Sequence, residues 1–357
     1  VYIKSLYLEN IRCIKNANIF FGNGINYIYG TNGSGKSSLL ESISILATGK
    51  SFRTSKIENI KNFDSNFFTI SSTIRRNGIE NNVGLRKEKT KIDIRINSSS
   101  VKRLSELALN CSLITFHAHS YSLIEGEPQY RRKYLDWWLF YSNKQFYSEW
   151  QRYNKILKQR NASLRQEISL LHVWEDALAE SGETLNYLRR AATDTLMYEL
   201  ADLIDSNYSS YLPNFSWQYY SGWAKDEPLL SALKRNQQKD IQYGFTSVGP
   251  HRGDLKFYAQ GKDAKEILSR GQQKTLSLLM LVALASVHKK VLNEIPIFMI
   301  DDISSELDAA HRYNIVEKII DFGGQIILTA IDKKDLTFST PSSVNTFVLQ
   351  KGEVHVV

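Results

Sequence analysis

Apolar residues recur with period two through the first hundred residues and with period three to four from about residue 131 onward. In Val1 to Leu8, Leu6 and Leu8 alternate with Lys4 and Tyr7, which predicts an opening strand, followed by Asn10-Ile11-Arg12. The largely apolar run Ile25 to Tyr29 predicts a buried strand. Leu39, Leu40, Ile43 and Leu46 then fall at helical spacing, with Gly49 as the stop. Three alternating runs come next: Phe68, Ile70, Ser72 and Ile74; Val83 and Leu85; and Ile92, Ile94 and Ile96. They predict an antiparallel meander with one wet face. The short apolar run Leu113 to Phe116 closes this part.

Helical spacing then takes over. Leu135, Trp138 and Leu139, then Phe146, Trp150, Tyr153 and Leu157, recur three or four apart, and a second stretch runs from Trp174 to Leu203, with Pro213 ending it. Phe215, Trp217 and Tyr219 fit a short strand. After Gly244 the pattern returns to sheet: a turn at Gly249 to Asp254, a strand from Leu255, a long apolar helix from Leu268, and a buried strand at Ile297 to Ile300. A helix to Ile320, a strand at Ile326 to Thr329 and a hairpin around Lys351-Gly352 complete the chain. The expected organisation is α/β. Residues 1–128 plus 236–357 form an α/β domain of mixed sheet plus antiparallel meander, and residues 129–235 form an inserted, mainly helical lobe.

Composition adds limits. The 357 residues are 42% hydrophobic, enough for one large core or two ordinary ones. A net charge of +8 is compatible with nucleic acid or an anionic surface, and with neither. Cys13 and Cys111 lie too far apart to suggest a disulfide framework or a zinc knuckle, so a reducing cytoplasm is expected. Lys4, Glu9, Arg12 and Lys15 interrupt any signal-peptide core. The longest apolar run, about Leu278 to Ala285, is shorter than the ~18–20 residues of a membrane span, so no membrane partner is expected.

The chemistry concentrates in a few stretches. Gly30-Thr31-Asn32-Gly33-Ser34-Gly35-Lys36-Ser37 satisfies the G-x-x-x-x-G-K-[ST] phosphate-loop pattern between a predicted strand and a predicted helix. Its glycines bring backbone N–H groups to phosphate oxygens, Lys36 suits the β and γ phosphates of ATP, and Ser37 suits Mg2+. A plain Gly-Ser turn before a helix is the bland reading, and the strand-helix context argues against it. Asp301 and Asp302 end a buried strand, where the first suits Mg2+ and the second an attacking water. Ser269-Arg270-Gly271-Gln272 opens the long apolar helix with a hydroxyl and bare N–H groups, which suits an anion. Arg12 is either a surface charge or a phosphate contact. Lys50, Arg53 and Lys56 form a basic loop, either solvated or DNA-facing. Between Arg131 and Arg165 there are nine Lys or Arg, Arg152, Lys155 and Lys158 among them, against Asp136 and Glu149. With interleaved aromatics this suits a DNA backbone; the alternative is core aromatics and a solvated charged face.

The order of these parts, with about 265 residues between Lys36 and Asp301 and the Ser269 helix start just before the second, resembles ABC-type P-loop ATPase heads. Asn10-Ile11-Arg12, the phosphate loop, Ser51-Phe52-Arg53-Thr54, Arg131 to Trp137, Leu157 to Asn161, Gly249-Pro250-His251-Arg252, Leu268 to Lys274 and Ile300-Asp301-Asp302 through Asp308 resemble the bacterial RecF family over nearly the whole chain. The resemblance implies an SMC-like head without a coiled coil. It implies an ATP-dependent homodimer on double- and single-stranded DNA at gap junctions, slow ATP hydrolysis, and RecA loading with RecO and RecR in gap repair and the SOS response. It makes Gly30 to Ser37 the ATP loop, Arg12 a phosphate contact, Ser269 to Gln272 a signature acting on the partner subunit, Asp301 the Mg2+ carboxylate and Asp302 the catalytic carboxylate.

Two departures qualify it. Ala118-His119 stands where the family usually has Pro-Glu, and Thr329-Ala330 stands where transporter cassettes carry a histidine, a position at which RecF-like sequences commonly have Thr. His117 and His119 also form a pair with metal-ligand spacing but no third ligand nearby. The first departure keeps open an ATP-binding DNA scaffold with negligible hydrolysis. A transporter cassette conflicts with the long gap and the basic lobe, and a small-molecule kinase has no use for the Ser269 signature.

Overall fold

The computed structural model describes residues 1–54, 56–89, 91–117, 120–166, 168–209, 211–212, 214–302, 316–335 and 344–357. In chain order the strands are β1 (Tyr2–Ile11), β2 (Ile14–Phe20), β3 (Ile25–Tyr29), β4 (Phe67–Arg76), β5 (Ile79–Glu88), β6 (Lys91–Ile96), β7 (Ser99–Val101), β8 (Leu113–Phe116), β9 (Phe215–Tyr220), β10 (Asp254–Ala259), β11 (Lys262–Asp263), β12 (Ile297–Ile300), β13 (Ile326–Ala330), β14 (Val344–Gln350) and β15 (Glu353–Val356). The helices are α1 (Lys36–Thr48), α2 (Leu104–Ala108), α3 (Pro128–Ser142), α4 (Phe146–Gln166), α5 (Leu171–Asn207), α6 (Leu229–Arg235), α7 (Gln237–Tyr243), α8 (Ala264–Ile267) and α9 (Arg270–Leu292). The expected helix stop at Pro213, and the Ser305 to Asp308 stretch, lie outside the described residues.

The chain divides into two compact units. Unit 1 is Val1–Ser120 with His288–Val357, and unit 2 is Tyr121–Val287.

Unit 1 has two sheets. One has the order β2-β1-β4-β5-β6-β7 and is antiparallel throughout, as the period-two alternation predicts. Its inward rows, Leu6 and Leu8, Phe68 and Ile70, Val83 and Leu85, are buried, while the opposite face stays wet. The other has the order β15-β14-β3-β13-β12-β8, with β14, β3, β13, β12 and β8 all parallel. Helix α1 is buried on every side from Lys36 to Ala47 except at Ser37, and it packs against β1, β4, β5 and β8. Leu39, Leu40, Ile43, Ile45 and Leu46 carry that burial, and each such Leu or Ile contributes about 1.5–3 kcal/mol. Gly49 ends α1 in the left-handed region with φ 71°.

The inserted lobe was expected over 129–235; the compact unit that contains its helices also takes in residues 236–287. The reason is pairing. Strand β10, read from the sequence as a return to the first domain, pairs antiparallel with β9 from Asp254↔Tyr220 to Ala259↔Phe215. Arg131 forks onto Asp254 at 2.7 and 3.1 Å, and the Tyr134 hydroxyl donates to Met280 O at 2.9 Å.

The run of basic residues in α3 and α4 also changes meaning. Arg160 is fully buried and donates to Asp240 Oδ2 at 2.8 Å, Thr246 Oγ1 at 2.9 Å and Glu175 Oε1 at 2.8 Å. Asn161 Oδ1 accepts from Thr246 N and Oγ1 at 2.8 and 2.7 Å. Arg131 and Arg160 are therefore internal struts and not part of a basic surface. Removing one partner from such a buried set costs about 3–5 kcal/mol. Helix α9 has an 18-residue window of mean hydropathy 1.5, long and apolar enough to cross a membrane, but 78% of that window is buried inside the fold.

In unit 2, His251 is held neutral: the Tyr153 hydroxyl donates to Nδ1 at 2.6 Å, and Nε2–H donates to Thr246 O at 3.0 Å. Burial pushes its pKa down from 6.5 to about 4. The unfolded chain takes up this proton near pH 6.5 and the folded one only near pH 4, so stability falls as pH drops through that window. Urea unfolding from pH 7 to pH 4 should show the wild type losing about 3 kcal/mol more than His251→Gln.

Candidate nucleotide site

Because β3, β13, β12 and β8 run parallel, their C-terminal ends open on the same edge of the sheet. Ligand sites form where open parallel sheets end in this way. Tyr29 leads directly into the phosphate loop, and Ile300 leads into Asp301 and Asp302. Gly30 N donates to Ala330 O at 3.3 Å and Asp301 N to Phe116 O at 2.9 Å, so neighbouring strands hold both stretches.

The loop needs its glycines. A Cβ on Gly30 would stand 2.3 Å from Leu349 O, while Gly33 and Gly35 take φ of 81° and 116°. Ser34 Oγ is buried without a hydrogen-bond partner, and the first N–H groups of α1 have no intrahelical acceptor. Lys36 Nζ turns back onto Gly30 O at 2.6 Å and Thr31 O at 3.1 Å. Burial lowers the Lys36 pKa, and the nearby Asp302 and Asp301 carboxylates oppose that shift. An orphaned hydroxyl, unpaired N–H groups and a partly desolvated ammonium together fit a phosphate chain.

Asp301 is the hub of the acidic end. Its Oδ1 accepts from Thr329 Oγ1 at 2.8 Å and from Ser37 Oγ at 3.3 Å. Thr329 Oγ1 in turn accepts from Asp302 N at 2.9 Å. Burial raises the Asp301 pKa, the two hydroxyl hydrogen bonds pull it back, the charge of Asp302 raises it, and Arg53 favours ionisation. Asp302 takes φ 52°, turning the chain sharply at the strand end. Ser37 and Asp301 bring two hard oxygens together, which fits Mg2+. The described residues hold no cluster of three or more His, Cys, Asp or Glu able to bind a metal.

Arg12 is oriented from below. Its Nε and Nη2 donate to Glu41 Oε2 and Oε1 at 2.8 and 3.1 Å, and Glu41 on α1 is fully buried. Ser51 Oγ donates to the same carboxylate and accepts from Arg53 N and Thr54 N, each at 2.9 Å. Arg12 has φ 46°; its N donates to Ile60 O at 2.8 Å and its O accepts from Asn62 Nδ2 at 2.5 Å. One carboxylate thus ties the β1–β2 turn and the Ser51–Thr54 loop to the phosphate-loop helix. Lys50, Arg53 and Lys56 are exposed. The His117 ring stacks on Phe52 at 5.1 Å, whereas Ala118 and His119 lie outside the described residues.

The signature stretch lies in unit 2. Ser269 and Gln272 form a reciprocal capping box: Gln272 N donates to Ser269 Oγ at 3.2 Å, and Ser269 N to Gln272 Oε1 at 2.9 Å. Gln272 Nε2 also donates to Tyr211 O at 2.8 Å, while Ser269, Arg270 and Gly271 are exposed. Thr329, Glu41 and Ser51 were not among the site residues expected from sequence. Glu41 carries no local signal, Ser51 stood only within the Ser51 to Thr54 stretch of the family resemblance, and Thr329 stood at the transporter-histidine position.

A family profile described as RecF/RecN/SMC N terminal domain matches residues 2–354. The chain is 33% identical to the DNA replication and repair protein RecF of Shewanella piezotolerans over 99% of both chains. The chain belongs to the bacterial RecF family. A structure of the recombination mediator protein RecF-ATP in the RecFOR pathway superposes with TM-score 0.89 at 26% identity, covering 100% of this chain and 97% of the other. An SMC head bound to the C-terminal winged-helix domain of ScpA shares the fold, with TM-score 0.57 at 15% identity over 100% of this chain and 97% of that one. The RecF fold here is therefore an ABC-type P-loop ATPase head with a helical insertion.

Glu41 acts as a positioning residue for Arg12. Glu41→Gln is expected to weaken nucleoside triphosphate binding about tenfold, ~1.4 kcal/mol. Adding Arg12→Ala should bring no further loss, as read by calorimetric titration of both single variants and the double.

Proposed function

We propose that this RecF family member serves DNA replication and repair as an ATP-switched DNA-binding dimer. The observation that carries the reading is the phosphate loop joined through Ser37 to Asp301 and through Thr329 to Asp302. Gly30 to Ser37 would hold the ATP phosphates, with Arg12 as a further phosphate contact. Ser37 and Asp301 would hold Mg2+, which supplies neutralisation of charge on the β and γ phosphates. Asp302 would orient the attacking water.

Exposure of Ser269, Arg270 and Gly271 at the start of α9 supports a role for Ser269 to Gln272 as a cap on nucleotide held by a second copy. Two chains then close around two nucleotides and separate on hydrolysis, so binding energy acts as a clamp. In that reading turnover is slow, and the dimer grips DNA where a duplex meets a single-stranded gap and supports RecA loading with RecO and RecR in the SOS response.

Sedimentation with and without ATP should show a dimer that forms with ATP and is lost in Lys36→Arg and in Ser269→Arg. Equal dimer fractions under both conditions would sink the clamp. ATP turnover that is undetectable with or without gapped DNA, and unaffected by Asp302→Asn, would leave a scaffold that binds nucleotide without consuming it.

The exposed cations of α4 carry the DNA expectation. Lys155 and Lys158 are exposed, and Arg152 pairs with Glu180 at 2.6 Å on the same surface. Exposed pairs are weak, so Arg152 remains available to phosphate. Reversing Arg152, Lys155 and Lys158 to Glu is expected to weaken duplex binding and flatten the dependence of log K on log salt by about 0.9 for each phosphate no longer neutralised. An unchanged slope in a filter-binding titration would return all three to a solvated face.

A further inference from the structure

Unit 2 holds a cavity of about 200 Å³ among α3, α4, α5 and the turn at Gly249 to Asp254. Its floor is made of groups already satisfied. Arg189 Nε and Nη2 donate to the two oxygens of Asp136, each at 2.8 Å, and Nη1 donates to Pro250 O at 2.8 Å. Tyr153 and the neutral His251 close the floor through their mutual hydrogen bond.

Arg132 on the wall is different. It is partly buried, its Nη1 donates to Gly253 O at 2.7 Å, and among the described residues it has no ion pair. Burial first, then the neighbouring Arg189 and Arg252, hold its pKa below the ordinary arginine value, against the opposing charges of Asp254 and Asp136, so an anion placed there would meet an under-compensated cation. Lys133 follows it on the same wall. Across from them Trp150 is 36% exposed and stacked on Tyr147, with ring centroids 6.3 Å apart and planes 10° from parallel. Gln129 stands at the rim with its side chain exposed. A cation and a partly exposed indole lining one cavity form the recognition pair for a nucleotide outside a base stack.

We propose that this cavity takes one nucleotide unit of a single DNA strand, with the phosphate on Arg132 and Lys133 and the base against Trp150. The inference rests on the DNA-binding reading above and deepens it with a strand-specific site. About 200 Å³ admits a base with part of its backbone and no duplex, whose bases are paired and stacked.

The test is fluorescence anisotropy of the full chain with labelled oligo-dT and with a blunt duplex, across salt concentrations. Arg132→Gln and Trp150→Leu should each weaken oligo-dT binding roughly tenfold and leave duplex binding within about twofold. Arg132→Gln should also lower the strand salt slope by about 0.7. Trp150→Phe, which keeps an aromatic face, should restore most of the affinity. Trp150 lies at the surface, so its variants keep the test valid should Arg132→Gln unfold. Equal loss for strand and duplex, no loss for either variant, or loss confined to free dTMP used as a competitor would overturn the proposal. Failure of the wild type to bind either DNA would instead overturn the reading on which it rests.

Discussion

Parallel pairing of β3, β13, β12 and β8 decides where the phosphate loop, Asp301, Asp302 and Thr329 stand. Parallel strands bring their C-terminal ends to one edge, so residues hundreds of positions apart meet there without any local sequence relation. Register does the rest. Ile300 pairs with Leu328 and with Phe116, which sets Asp301 beside Thr329 and within reach of Ser37. A one-residue slip would turn each of these side chains to the other face.

The same sheet edge gathers charge, and the fold meets that cost with hydrogen bonds. Lys36 is solvated by the carbonyls of its own loop, Asp301 by two hydroxyls, and Glu41 by Arg12 and Ser51. Each arrangement suits a group that must stay charged until a phosphate chain arrives, because an unpaired buried charge costs several kcal/mol. Arg160 in unit 2 follows the same rule for a different end: it is fully buried and bonded to Asp240, Thr246 and Glu175, so the cluster is structural. Arg132 is the contrast, a partly buried guanidinium without a carboxylate partner among the described residues.

Most of the fold was legible because burial imposes period on sequence. The alternation in Phe68 to Ile74 and in Ile92 to Ile96 became β4 and β6, and the three-to-four spacing after Arg131 became α3, α4 and α5. What local pattern does not carry is which elements pair and which charges face water. Leu255 and Phe257 did predict a strand, but nothing local says that its partner is Phe215 to Tyr220. Arg131 and Arg160 look like their exposed neighbours in sequence, and only their distant carboxylates reveal them as internal.

By itself the sequence determined the phosphate loop, the paired carboxylates behind an apolar strand, the Ser269 helix start and the period of each element, since these depend on interactions within a few residues. The tertiary structure alone decided that Glu41 aims Arg12, that Thr329 joins Asp301 to Asp302, and that the Trp150 face lines a cavity with Arg132. The hydrogen bonds among these span 27 to 29 residues of chain, and no local pattern encodes a partner so far along the sequence.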